Sequence, residues 1–152
     1  MDISELASLP ERVGQRLGSS RSELITQQDV QWFADATRAH EWIHVDPQRA
    51  AREGPFGTTV AHGYLTLSLA TPFVTELLGV GDGVVGINYG LNRVRFPAPV
   101  PVGSRVRAHG TLRSATPDGP GMRTVIELVY EVEGGDRPPC VAEVVSVLLP
   151  AR

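Results

Sequence analysis

Three stretches of this 152-residue chain hold groups suited to chemistry. The first is His40-Glu41-Trp42-Ile43-His44-Val45-Asp46, with two histidines and two acids. A histidine can give or take a proton near neutral pH, so His44 is a candidate acid/base group. A surface or capping histidine is the plain alternative. His40 and His44 have a helical spacing that could suit a metal, but turn signals argue against one continuous helix and further ligands are unspecified. No metal is expected. The second stretch, Ala61-His62-Gly63-Tyr64, opens an apolar run. The first amides of a helix are unsatisfied and lie at its positive end, and glycine permits close approach. Such a place suits an oxygen that gains negative charge during a reaction. The alternative is plain packing of Gly63 between helix and sheet. The third stretch holds Arg93 and Arg95 on one strand face, with Arg105 and Arg107 expected to repeat the pattern on the next strand. Paired arginines can hold phosphates, and the alternative is a solvated strand face.

These groups need elements to position them. Thr26 with Asp29 three residues on resembles a capping box, and Val30, Phe33 and Ala34 recur at helical spacing, so a helix is expected over roughly 27–38. His40 to Pro47 reads as a turn into a loop. Pro47 suits the first turn of a short helix, which Gly54-Pro55-Phe56-Gly57 breaks. A long buried helix is expected from about Thr58 to Leu78, with Ala61, Leu65, Ser68, Leu69 and Pro72 along one side and a glycine cap over Gly79 to Gly83. Then come β-rich runs: Val84–Tyr89, Leu91–Phe96, Ser104–Ser114, Arg123–Glu133 and Cys140–Leu149. Asp118-Gly119-Pro120-Gly121 and Gly134-Gly135-Asp136 read as hairpin connections. Residues 1–20 read as a short helix or strand lying on the surface. One long helix followed by an antiparallel meander predicts an α+β fold, a curved sheet around the helix. No linker or repeat divides the chain, so one domain is expected over 1–152.

Composition removes several function classes. Net charge is −3, so no basic surface for nucleic acid or anionic membrane is implied. The single cysteine, Cys140, allows no disulfide within the chain and no cysteine metal site. This fits a reducing cytoplasm. No signal peptide and no membrane-spanning run are expected.

Three segments around these groups carry a resemblance. They are Trp42-Ile43-His44-Val45-Asp46-Pro47, then Gly54 through Ser68 (Gly-Pro-Phe-Gly-Thr-Thr-Val-Ala-His-Gly-Tyr-Leu-Thr-Leu-Ser), then Tyr89 through Val100 (Tyr-Gly-Leu-Asn-Arg-Val-Arg-Phe-Pro-Ala-Pro-Val). Their order and spacing resemble the MaoC-like dehydratases and (R)-specific enoyl-CoA hydratases over about residues 22–150. The resemblance implies a hotdog fold, a curved antiparallel sheet wrapped around one long central helix, paired as a homodimer. It implies an acyl thioester substrate on coenzyme A or acyl carrier protein, with no cofactor beyond the carrier, and reversible addition of water across the 2,3-double bond. Family catalysis uses an Asp-x-Asn-Pro-x-His loop. The family histidine falls on His44 and the oxyanion amide on Gly63. A supporting hydroxyl falls on Thr71, with Ser68 one turn earlier, and Arg93 and Arg95 are candidate thioester or phosphate contacts. The aspartate position, however, is Ala39, preceded by Arg38 where glycine is usual. Glu41 stands where many members have asparagine.

Alanine cannot orient or deprotonate water. Three consequences compete. The pocket could run altered chemistry, such as isomerisation, cyclisation or conjugate addition, with His44 as the acid/base group. It could remain a hydratase with a displaced carboxylate, Glu41 or Asp35. Or the chain could bind thioesters without turnover, as the structural partner of a competent subunit.

Overall fold

The computed structural model of the chain describes residues 3–151. Helix α1 (Ile3–Ser8) and a 3₁₀ turn (Leu9–Arg12) lead into β1 (Arg16–Ser19) and β2 (Glu23–Leu24). Leu6 and Leu9 are buried in the core, so this lead-in is part of the packed body and not a surface appendage. Helix α2 (Gln27–Thr37) starts on the expected capping box. Thr26 Oγ1 accepts from the Asp29 amide at 3.1 Å, and Asp29 accepts from the Thr26 amide at 2.8 Å. It ends on Arg38 with φ +69°, the left-handed region that favours glycine.

The segment read as a loop contains a one-turn helix, α3 (Trp42–Val45), followed by α4 (Pro47–Glu53) with Pro47 at its first turn. The expected long helix is shorter and divided. Thr59, Val60 and Ala61 are extended: the Ala61 amide donates to the Val100 carbonyl at 2.8 Å and the Val102 amide to the Thr59 carbonyl at 2.9 Å. Helix α5 (Gly63–Ser68) therefore starts only at Gly63, and α6 (Ala70–Leu78) follows after an interruption at Leu69. Pro72 explains the break. It has no N–H for the Ser68 carbonyl, and its ring presses on that carbonyl. The buried side is Thr66, Ala70, Phe73, Val74, Leu77 and Leu78, while Ser68 and Pro72 face outward, so the expected apolar side was placed about one position off. Gly79, at φ +65°, caps α6 as expected.

The remaining strands are β3 (Val84–Arg95), β4 (Arg105–Asp118), β5 (Gly121–Val132) and β6 (Val141–Pro150). The sheet order is β1-β4-β5-β6-β3, with β2 also pairing β4, and every pairing is antiparallel. On its inner face Ala108, Leu112, Ile126, Leu128, Tyr130 and Leu148 pack with Phe73 and Leu77 of α6 in one core cluster. The two runs expected at 84–96 are one strand, irregular between Asn88 and Gly90 and again between Leu91 and Arg93. Because β3 pairs β6 and β4 lies two strands further on, Arg105 and Arg107 do not extend the Arg93/Arg95 pair. No helix among the described residues is long and apolar enough to cross a membrane.

Candidate active site

The site grows from α3. The amides of His44 and Val45 return to the Glu41 carbonyl at 2.9 and 3.4 Å. That single turn puts Glu41 and His44, three residues apart, on one face. Gln27 locks the turn to the extended segment before α5. Its amide donates to the His44 carbonyl at 2.7 Å, and its Oε1 accepts from Thr59 Oγ1 at 2.6 Å. His44 Nδ1 lies 2.7 Å from the Val60 carbonyl. A carbonyl only accepts, so Nδ1 carries the proton and a neutral His44 has its lone pair on Nε2.

His62, the residue capping α5, stacks on His44 with ring centroids 3.8 Å apart at 28°. Phe33 also packs on it, at 5.0 Å. His62 Nε2 lies 2.9 Å from the Ala39 carbonyl and must be its donor. Burial first, with the His44 ring and His40 adding to it, holds the His62 pKa below its ordinary 6.5, against the opposing pull of the Ala39 carbonyl and Glu41. His62 Nδ1 is buried without a hydrogen-bond partner. A carboxylate oxygen of Glu41 and one ring nitrogen each of His44 and His62 lie within 4.8 Å of one another. That donor set suits a transition metal in type. Its rings, however, lie face to face, and both would have to unstack for their lone pairs to converge on one ion.

Gly63 opens α5 beside this cluster. With Val60, Ala61, Thr66 and Phe96 it lines an apolar cavity of about 400 Å³. A Cβ on Gly63 would come within 3.3 Å of the Phe96 ring, tighter than an ordinary contact. Ser68 and Thr71 line a different hollow, of about 250 Å³, between α6 and β3. There Thr71 Oγ1 accepts from Asn88 at 3.0 Å, and Ser68 donates to the Leu65 carbonyl at 2.7 Å. Asp35 stays on α2, with Gln31 at 2.9 Å and His40 at 3.8 Å, and is not brought into the cluster. Arg93 and Arg95 share a recess of about 300 Å³ with Glu127 and Glu143, whose negative charges oppose anion binding. The histidine and carboxylate brought together are thus His44 and Glu41, with Gly63 adjacent. From sequence, the 61–64 stretch offers its backbone, and the His62 side chain has no expected role. The available signal was a histidine at a helix start, where Ser, Thr, Asp or Asn is usual.

Solved structures share this architecture, and other proteins share the sequence. The family described as "MaoC like domain" matches residues 8–127. The 3-hydroxyacyl-thioester dehydratase Z of Mycobacterium tuberculosis is 50% identical over 142 residues, 93% of each chain. Nodulation protein N of Rhizobium leguminosarum bv. viciae is 43% identical over 145 residues, 94% of this chain and 90% of its own. The solved (R)-hydratase of A. caviae involved in PHA biosynthesis superposes with a TM-score of 0.71 at 25% identity, over 91% of this chain and 96% of its own. Fold and sequence agree: the chain belongs to the MaoC-like dehydratase family and has its hotdog fold.

Proposed function

We propose that the chain is a 3-hydroxyacyl-thioester dehydratase, acting reversibly on an acyl group carried by coenzyme A or acyl carrier protein, with Glu41 in place of the absent aspartate. The observation that carries this reading is the approach of Glu41 and His44 within 4.8 Å on one helical turn, beside the Gly63 cavity. In dehydration, neutral His44 takes the C2 proton on Nε2 while its Nδ1–H stays on the Val60 carbonyl. Charge moves onto the thioester oxygen, where the Gly63 N–H receives it. The Glu41 carboxyl passes a proton to the departing 3-hydroxyl, which leaves as water. The proton on His44 then returns to Glu41. Hydration runs the same transfers backwards. No cofactor takes part beyond the carrier.

The test is incubation with a panel of enoyl and 3-hydroxyacyl thioesters, read by enoyl absorbance and by mass. Interconversion by one water is expected, and Glu41→Gln should lower it by about 10²-fold or more. Full activity in that variant would remove Glu41 from the mechanism. A different product would favour altered chemistry, and binding without turnover would favour a non-catalytic subunit.

The same reading places a second copy of the chain along β3. Nearly the whole strand is exposed, including Val85, Ile87, Tyr89 and Leu91, although its other side is paired with β6. An exposed apolar strand edge is a template for pairing. Sedimentation should show a homodimer at micromolar concentration, and a monomer there would refute the pairing.

A further inference from the structure

His62 has no step in the chemistry above, yet it touches every part of it. It is only 6% exposed. Its ring lies flat on His44, and its Nε2 proton is on the Ala39 carbonyl, two residues before Glu41. Its own backbone is the cap of the helix that Gly63 opens. Packing alone does not account for it. A phenyl ring would fill the space without leaving a buried nitrogen unpartnered, as Nδ1 is. What a phenyl ring lacks is the donor to Ala39. That donor holds the turn at Ala39, while the α3 amides hold only the Glu41 carbonyl and His40 reaches Asp35 at 3.8 Å: Arg38 before Ala39 sits in the left-handed region, and Glu41 after it caps α3 without a side-chain hydrogen bond.

We propose that His62 is a positioning residue: through its hydrogen bond to the Ala39 carbonyl and its stack on His44, it sets the 39–41 turn, and so Glu41, against His44 and Gly63. The proposal rests on the reading of Glu41 and His44 as the proton-handling pair. In a chain whose position 39 supplies no carboxylate, the backbone of that position is still used, as the handle by which the substitute carboxylate is held.

The first arm of the test needs no turnover. Long-range proton–nitrogen spectra of ¹⁵N-labelled protein at neutral pH should show His62 protonated on Nε2. His62→Phe keeps a flat ring but has no N–H, and should shift the backbone amides of 39–41. His62→Gln, whose Nε2 can reach the same carbonyl, should leave them close to the parent positions. His62 protonated on Nδ1, or unmoved amides in a folded His62→Phe, overturns the proposal whether or not any thioester is turned over. The wild-type tautomer decides even if the phenylalanine variant does not fold. In the second arm, His62→Phe should lower kcat about tenfold at unchanged KM, the size of one lost hydrogen bond, with His62→Gln restoring most of it. His62→Phe should then cost little more in the Glu41→Gln background. Losses that simply multiply would overturn the proposal. An inactive wild type would instead refute the dehydratase reading and leave the spectra to decide on His62.

Discussion

His109 and the His44/His62 pair both bring histidines near a carboxylate, and they are built oppositely. On the outer face of the sheet, His109 Nδ1 lies 2.8 Å from Ser19 Oγ and its Nε2 2.7 Å from Glu131. Glu131 also takes two hydrogen bonds from Arg107, directly across the ladder, at 3.2 and 2.8 Å. Arg107 first, and then His109, hold the Glu131 carboxyl below its usual range. Both nitrogens of His109 are therefore engaged, and its proton has nowhere new to go. At the other place, His44 and His62 each commit one nitrogen to a backbone carbonyl. A carbonyl fixes ring and tautomer without using the second nitrogen, so a lone pair remains for chemistry or for packing. Residue type does not separate the two clusters. What separates them is whether side chains or backbone hold the rings.

The comparison breaks most sharply on the histidines themselves. His44→Ala should cost about 10²–10⁴-fold in kcat/KM for thioester dehydration, the usual worth of a proton-transfer group, while His109→Ala should stay within about twofold of the parent. Equal losses in the two variants would mean that the carbonyl-held cluster is not special. Next in size is Gly63→Pro. Proline is tolerated at the first position of a helix, so circular dichroism should be unchanged, but the lost N–H should cost about 10²–10³-fold in kcat. A folded, fully active variant would remove Gly63 from the oxyanion role.

Position 39 offers a gain. Ala39→Asp restores a carboxylate five residues before His44 and should raise enoyl-thioester hydration by about tenfold. Adding Arg38→Gly should raise it further, for two reasons. It removes a cation beside the new carboxylate, and it relieves a left-handed backbone at φ +69°. No gain in either folded variant would show that the pocket has been reshaped so that position 39 no longer faces the reacting carbon.

The smallest expected effect is on stability. The folded pKa of His62 is depressed below 6.5. Between the two pKa values the unfolded chain binds the proton and the folded chain does not. This contribution to stability is thus full above 6.5 and is lost as pH falls below it. Melting temperature should drop from about pH 7 to about pH 5, with a shallower drop in His62→Gln. Parallel curves for the two proteins would show that His62 is not the group responsible.

Local signals were legible in the sequence because they act over a few residues. Thr26 with Asp29, Pro47 at the first turn of α4, the αL cap at Gly79 and the hairpin turn at Asp118–Gly121 all formed where their chemistry places them. Three ordered segments were enough to identify the family and its hotdog fold. The sequence alone also determined that position 39 is alanine and that Glu41 and Asp35 were the carboxylates available nearby. Tertiary structure decided the rest. It split the long helix at Leu69, left β3 as an exposed edge, and put two strands between β3 and β4. It chose Glu41 over Asp35 as the carboxylate beside His44, and it laid His62, eighteen residues further along, against that ring. The physical reason is range. A cap or a turn is closed by its own neighbours, whereas strand order and the meeting of distant side chains depend on how the sheet and helices pack, which no local pattern encodes.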